Sequence, residues 1–230
     1  MTAPGAAGAS AAERAAQLAA RADQVALCLD FDGTLSPIVP DPEAARPLEG
    51  MVELLGPLAA RFAAVALISG RPAGFLAEHA AAPGVRYLGL YGLEEIRDGQ
   101  VWVDPRLEAV RPAVEAAHQV AARHGLEVVP GKLVWELRPA VPSDKGDAVR
   151  QVVASSGARA VVVAGDDLGD LAAFAAAAEL VAEGGEALRV AVASAEVPER
   201  LLAEADLVVD GPPGLRAFLK RLDDRPVAPR

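Results

Sequence analysis

The sequence predicts an α/β fold of three layers, with a doubly wound, mainly parallel sheet between two sets of helices. Three observations point there. Short runs such as Val25 to Leu29 (VALCL), Ala63 to Ile68 (AAVALI) and Ala160 to Ala164 (AVVVA) are almost continuously apolar, the mark of strands buried on both faces. Helix-length segments separate them, as βαβ connections require. Each run stops at a polar residue, at Asp30, Ser69 or Gly165-Asp166, and ligands of parallel sheets collect beyond the carboxyl ends of the strands.

In chain order, the opening MTAPGAAGASAAERAAQLAARAD has neither a basic n-region nor a strongly apolar h-region. It resembles neither a secretory signal nor an anchor, and reads as a disordered tip leading into a helix over residues 1–24. A strand follows at 25–30, a helix at about 48–61, a strand at 63–68, a helix at 72–81 and a strand at 86–91. Val101 to Val103 is a further short strand. Asp104-Pro105 then supplies an N-cap and a first helical position, and Leu107, Val110, Val114 and Val120 recur at helical spacing up to Gly125. Pro112 either kinks this helix or divides it in two. Leu126 to Val129, a turn at Pro130-Gly131, and Leu133 to Leu137 form a hairpin pattern. After this insert come a helix at 145–156, a strand at 160–164, a helix at 169–177, a strand at 189–193 and a helix at 197–204. A last strand at 207–209, a helix from Gly214 and a loose tail at 223–230 complete the reading. The expected organisation is a core of residues 25–103 and 142–230 with a small α+β cap at 104–141. No internal repeat is visible.

The chain has 230 residues, 52% of them hydrophobic and only 4% aromatic. Alanine runs such as Ala172 to Ala178 suit close helix packing; a membrane span needs about 20 strongly apolar residues, and no such run occurs. The formal charge of −10, with no long basic run, argues against nucleic acid and anionic membrane partners. Cys28, the single cysteine, lies inside the first strand, where a small buried apolar role and a cytoplasmic location are expected. His79, His118 and His124 show no metal spacing and read as surface or helix-end residues. Oligomeric state is not readable.

The chemistry starts at VALCLDFDGTL. Asp30 and Asp32 leave the end of a strand two residues apart, so both can face one point, with Gly33 bending the chain beyond them. Two such carboxylates repel unless neutralised, and a magnesium ion, a hard cation that takes carboxylates, waters and phosphate oxygens, does this well. One aspartate then serves as nucleophile toward phosphorus and the other as general acid and base. A D-x-D-G-T segment is also a common capping or turn loop. Three later segments favour the phosphate reading. Ser69-Gly70-Arg71 offers a hydroxyl and backbone N–H at a strand end; Asp144-Lys145-Gly146 places a lysine at a helix start; Gly165-Asp166-Asp167-Leu168-Gly169-Asp170 crowds three carboxylates where a cation is needed.

The order D-x-D-G-T, S-G-R, D-K-G, G-D-D-x-x-D resembles the haloacid-dehalogenase-like phosphatase superfamily over essentially the whole core. Within it, LDFDGTLSPIVPDPEAA, LISGRP, GLYGLEEI, GKLVWELRP and GDDLGDLAAF together are most similar to trehalose-6-phosphate phosphatases. The resemblance implies that Asp30 is the nucleophile, becoming an aspartyl phosphate, and Asp32 the general acid and base, with Thr34 holding Asp32 and the phosphate. It implies phosphate binding by Ser69 and Lys145 beside Gly70 and Arg71, and magnesium held by Asp30, the backbone carbonyl of Asp32, Asp166 and Asp170, with Asp167 either touching the ion or one step behind it.

Glu94, Lys132 and Glu136 match family positions that contact sugar hydroxyls; each also reads as an ordinary loop, cross-strand or surface charge. Two departures stand out. Gly169 and Leu171 replace the Thr and Glu of the usual G-D-D-x-T-D-E-x-A-F, and only Arg97 to Pro130 fills an interval in which the family carries further cap strands. The expected reaction is magnesium-dependent hydrolysis of trehalose 6-phosphate. The short insert leaves another sugar or polyol phosphate as the alternative, and a non-catalytic regulatory relative as the third reading. With a negative chain, a phosphorylated substrate is drawn in locally by magnesium, Lys145 and Arg71.

Overall fold

A computed structural model describes residues 10–97, 99–107 and 143–224, together with 109, 112, 116, 119, 120 and 123. Eight strands form one sheet: β1 (Val25–Leu29), β2 (Ala64–Ile68), β3 (Val85–Gly89), β4 (Glu94–Arg97), β5 (Gln100–Val103), β6 (Ala160–Gly165), β7 (Glu186–Ala193) and β8 (Leu207–Asp210). Their order is β5-β4-β3-β2-β1-β6-β7-β8. Strands β1 to β3 and β6 to β8 are parallel, and β4 and β5 pair antiparallel at one edge. The helices are α1 (Ala11–Ala20), α2 (Val52–Arg61), α3 (Ala73–His79), α4 (Lys145–Ser156), α5 (Asp170–Ala182), α6 (Glu199–Glu204) and α7 (Gly211–Asp223).

Strand alternation explains the three layers. Val25, Leu27 and Leu29 point into a core shared with Leu18 of α1, Leu55 and Leu58 of α2, Leu76 of α3 and Leu215 and Leu219 of α7. Ala26 and Cys28, between them, point into a second core with Val149 and Val152 of α4, Phe174 and Ala177 of α5 and Leu201 of α6. All five residues of β1 are buried, so the apolar run read from the sequence serves both faces at once. Burial pushes the Cys28 thiol up to about 12, consistent with an unreactive packing residue. Among the described residues, no helix is long and apolar enough to cross a membrane.

Several elements differ from expectation: α5 runs to Ala182 rather than 177, β7 begins at Glu186 rather than 189, and α7 begins at Gly211 rather than Gly214. The strand expected at 86–91 stops at Gly89, which passes so close to α3 that an added Cβ would lie 2.0 Å from the Ala73 nitrogen. The chain then turns through Leu90 (φ 49) and Tyr91 (φ 59), left-handed residues that are not glycine. Strand β4 was not anticipated, because its sequence EEIR carries three charges in four residues. The ladder accommodates them: buried Glu95 accepts hydrogen bonds from Arg86 at 2.6 and 2.9 Å, Arg97 at 2.8 Å and Gln151 at 3.1 Å, the pairing a buried charge requires. Helix α2 starts at Val52 rather than about 48, after a turn in which Gly50 has φ +76.

In the insert, Asp104 Oδ1 accepts the Arg106 N–H at 2.8 Å, and residues 105–107, 109, 112, 116, 119, 120 and 123 are helical. The hairpin expected at 126–137, with Lys132 and Glu136, lies outside the described residues, as do His118, His124, the tip at 1–9 and the tail at 225–230.

Beyond the core packing, Asp206 ties three elements together at the β8 side. It accepts from Arg14 of α1 at 3.0 Å, and from the Arg189 side chain at 3.0 and 3.2 Å and backbone at 2.8 Å in β7. Burial works against its charge, but these donors prevail and hold its pKa down at about 2. A lowered folded pKa stabilises the protein above the ordinary aspartate range, and that contribution disappears as pH falls toward 2. Asp206→Asn is therefore expected to lower stability at pH 7 by about 1–3 kcal/mol, and urea unfolding should show the gap narrowing below pH 4. A gap independent of pH would contradict the assignment.

Candidate active site

Strand order creates the site. From β1 the chain builds β2 and β3 on one side, then returns to build β6, β7 and β8 on the other. The crevice at the carboxyl ends of β1 and β6 is thus a topological switch point. Leu29 is paired with Ala164, and the Asp30 N–H donates to the Ala164 carbonyl at 3.0 Å. Asp30 and the acidic turn after β6 consequently emerge side by side, although more than a hundred residues separate them.

Three carboxylates meet in that crevice. Oxygens of Asp30, Asp166 and Asp170, all buried, lie within 4.8 Å of one another. Lys145, the first residue of α4, brings its ammonium to 2.7 Å from both Asp30 Oδ1 and Asp170 Oδ1 and to 3.8 Å from Asp167. Its position is fixed by a reciprocal cap, in which Asp144 accepts the Asp147 N–H at 3.0 Å and Asp147 accepts the Asp144 N–H at 3.3 Å. Asp170 Oδ2 closes the acidic turn by accepting the N–H groups of Asp166 and Asp167 at 2.9 and 3.0 Å. Thr34 donates to Asp166 at 3.3 Å, not to Asp32 as the sequence reading implied. Gly33 (φ +73) lets the two loops approach: a Cβ there would lie 2.0 Å from Asp166 Oδ2.

One ammonium does not balance this charge. Burial pushes Asp30 up to about 7 against the pull of Lys145, with Asp166 adding to the rise. Burial likewise raises Asp166 to about 7, helped by Asp170 and Asp167, and raises Asp170 to about 7, with Asp30 adding. Burial would lower Lys145, but Asp30, Asp170 and Asp167 more than reverse this and raise it. The donor set is all hard carboxylate oxygen, which suits a divalent cation of the magnesium or calcium kind.

The remaining expected residues divide. Asp32 does not join the acidic cluster: its side chain, 43% exposed, is paired with Arg71 at the rim. Ser69 is buried, and its hydroxyl accepts the Arg71 N–H at 3.2 Å. Asp30, Asp32, Ser69, Gly70, Arg71, Lys145 and Asp167 all line one cavity of about 520 Å³. Glu94 is not part of that lining; its carboxylate accepts the Ala73 N–H at 3.0 Å, at the start of α3. Lys132 and Glu136 fall outside the described residues.

Pro42, Glu43 and Tyr91 also line the cavity. Their segments, PDPEAA and GLYGLEEI, were conspicuous in the sequence, but nothing local indicated that these side chains face the site. The left-handed Leu90–Tyr91 turn costs about 1–2 kcal/mol per residue. It is held by N–H donation from Leu90 to the Arg71 carbonyl (2.9 Å) and from Tyr91 to the Ser69 carbonyl (3.0 Å), and by Ser143 Oγ on the Tyr91 carbonyl (2.8 Å). This turn clasps the Ser69–Arg71 loop and ties it to the approach to Lys145.

Comparison with known proteins agrees with this geometry. The trehalose-phosphatase family model matches residues 28–105 and 103–205. The trehalose-phosphate phosphatase of Mycobacterium avium (strain 104) is 31% identical over 87% of this chain and 62% of its own length; that of Mycobacterium leprae (strain TN) is 29% identical over 87% and 58%. The chain thus spans about three-fifths of the length of these curated relatives. Among solved structures, Aspergillus fumigatus trehalose-6-phosphate phosphatase aligns over 94% of this chain and 99% of its own, with a TM-score of 0.65 and 21% identity. The C-terminal domain of the C. albicans enzyme aligns over 92% and 96%, with a TM-score of 0.66 and 19% identity. These structural likenesses establish the fold.

The charge imbalance has a measurable consequence. Carboxyls whose folded pKa is raised destabilise the fold when ionised, so their penalty grows as pH climbs from about 4 through 7. Lys145→Met removes the neutralising group and is expected to cost about 3–5 kcal/mol at pH 8 without divalent cation. The cost should shrink at pH 5, where protons replace the lysine, and at pH 8 when millimolar magnesium is added. Urea unfolding under the three conditions checks this; an equal loss in all of them would contradict it.

Proposed function

The chain belongs to the trehalose-phosphatase family, and from that premise we propose that it is a magnesium-dependent phosphatase that hydrolyses trehalose 6-phosphate to trehalose and phosphate. The observation that carries the proposal is the buried Asp30–Lys145–Asp170 cluster opening into the cavity at the β1/β6 switch point.

In this reading Asp30 Oδ attacks phosphorus in line as the bond to the sugar oxygen breaks, giving an aspartyl phosphate. Asp32 gives a proton to the departing sugar oxygen, then takes one from the water that attacks the phosphorus. The second attack releases phosphate and restores Asp30. Ser69, Gly70 and Lys145 hold the phosphoryl oxygens, and Lys145 offsets the charge that gathers on them. Asp30, the Asp32 carbonyl, Asp166 and Asp170, with Asp167 beside them, would hold a magnesium ion, which would supply further neutralisation of the phosphoryl oxygens. Thr34 acts by orienting Asp166, its hydrogen-bond partner.

Substrate choice is assigned to the cap at 104–141, which we propose is a reduced cap carrying Lys132 and Glu136 as sugar contacts. Glu94 is proposed as a further sugar contact, through acceptor sites left free by its bond from the Ala73 N–H. The reading includes a cytoplasmic location, supported by the single cysteine held as a buried thiol, and no nucleic acid or membrane partner, supported by the charge of −10.

The test is phosphate release from trehalose 6-phosphate beside glucose 6-phosphate and other sugar and polyol phosphates, with and without magnesium. Preference for trehalose 6-phosphate is expected, with loss of activity on chelation and a fall of about 10³ or more for Asp30→Asn. Preference for another phosphate ester would keep the chemistry and reassign the substrate. No release from any ester would favour a regulatory relative.

A further inference from the structure

Arg71 does something different from what its place beside Ser69 and Gly70 suggests. Its guanidinium is forked onto Asp32, with Nε 2.7 Å from Oδ2 and Nη2 2.7 Å from Oδ1. The head lies over the Phe75 ring at 4.3 Å, and Phe75 is packed edge-on against Phe31 at 5.7 Å. The Arg71 backbone is fixed too, because its N–H donates to Ser69 Oγ and its carbonyl accepts the Leu90 N–H. Only 15% of the Arg71 side chain is exposed, whereas Asp32 is 43% exposed. Among the described residues, both hydrogen bonds accepted by the Asp32 carboxylate come from this guanidinium.

We infer that Arg71 is a positioning residue that fixes the orientation of Asp32 for proton transfer, and not a ligand of the substrate phosphate; the inference rests on the phosphatase reading above. A half-exposed carboxylate at a cavity rim samples several rotamers, and a misplaced catalytic group is costly in rate. A planar fork stacked on an aromatic ring selects one orientation, which a point charge does not. Asp32 acts twice. As the P–O bond to the sugar breaks and the Asp30–P bond forms, its proton passes to the sugar oxygen; as water attacks phosphorus and the Asp30–P bond breaks, it takes a proton from that water.

These two steps make the role separable by leaving group. A sugar alkoxide needs the proton, whereas p-nitrophenolate leaves without it, but both substrates share the second step. In Arg71→Met, turnover of the preferred sugar phosphate is expected to fall about 10- to 100-fold in kcat, less than the roughly 10²- to 10⁴-fold of a whole general acid–base contribution because Asp32 itself remains, with KM little changed. With p-nitrophenyl phosphate the same variant should show a rapid burst approaching one nitrophenolate per active site before a slow steady state. Arg71→Lys should not restore kcat. The double variant Arg71→Met, Asp32→Asn should be no slower than Asp32→Asn alone, because the arginine acts through the aspartate.

A rise in KM for both substrates, without a burst and with rescue by Arg71→Lys, would make Arg71 a phosphate anchor and overturn the inference. Additive losses in the double variant would also overturn it. If the parent protein hydrolyses neither ester, the phosphatase reading fails and this inference fails with it; an active parent with either of the other outcomes fails this inference alone.

Discussion

The ammonium of Lys145, 2.7 Å from Asp30 on one side and from Asp170 on the other, is the contact on which the rest of the site depends. It joins the first residue of α4, the end of β1 and the first residue of α5, parts of the chain that meet only because β6 lies against β1. A lysine is almost never this buried unless it is paired. Here the pairing is incomplete by design of the residue set: three buried carboxylates face one cation. The fold therefore keeps an electrostatic deficit at the place where a dication and a phosphate group can balance each other.

A second pairing sits at the rim and has the opposite character. Arg71 and Asp32 are matched one to one, planar against planar, on an aromatic support. The inner cluster is poised to accept charge; the outer pair holds a single side chain in place. Two aspartates separated by one residue thus occupy different electrostatic environments, because Gly33 bends the chain immediately beyond them and brings the neighbouring loop against Asp166. Their proposed roles, nucleophile and proton carrier, call for that difference.

Much of this was legible in the sequence for local reasons. Apolar runs ending in Asp30, Ser69 and Gly165 state both the strands and the positions of their ends, and acidic crowding at 166–170 implies a cation without knowledge of the fold. What stayed hidden was non-local or ran against composition. Nothing near Arg71 names Asp32, 39 residues away, as its partner. Strand β4 was masked because Glu95 is a charge carried inward and satisfied by Arg86, Arg97 and Gln151. Leu90 and Tyr91 adopt a conformation that local propensity disfavours, imposed by hydrogen bonds to the Ser69–Arg71 loop and Ser143. The carboxylate of Glu94, matched in sequence to a sugar contact, is engaged at the start of a helix.

Gly146 offers a last consequence. A Cβ there would lie 2.5 Å from the Ala172 carbonyl oxygen, so α4 and α5 touch backbone to side-chain-free backbone one residue beyond Lys145 and two beyond Asp170. Around that point the facing residues are mainly small, among them Ala148, Ala173, Ala176 and Ala177, and alanine has no rotamers to exchange. At Gly146 the joint is a hard stop: the glycine has no side chain to rearrange against the Ala172 carbonyl, so at this point the spacing of the two charged groups is set by backbone contact. An interior poor in aromatic residues, which looks underbuilt by composition, acts at this point as a source of mechanical precision.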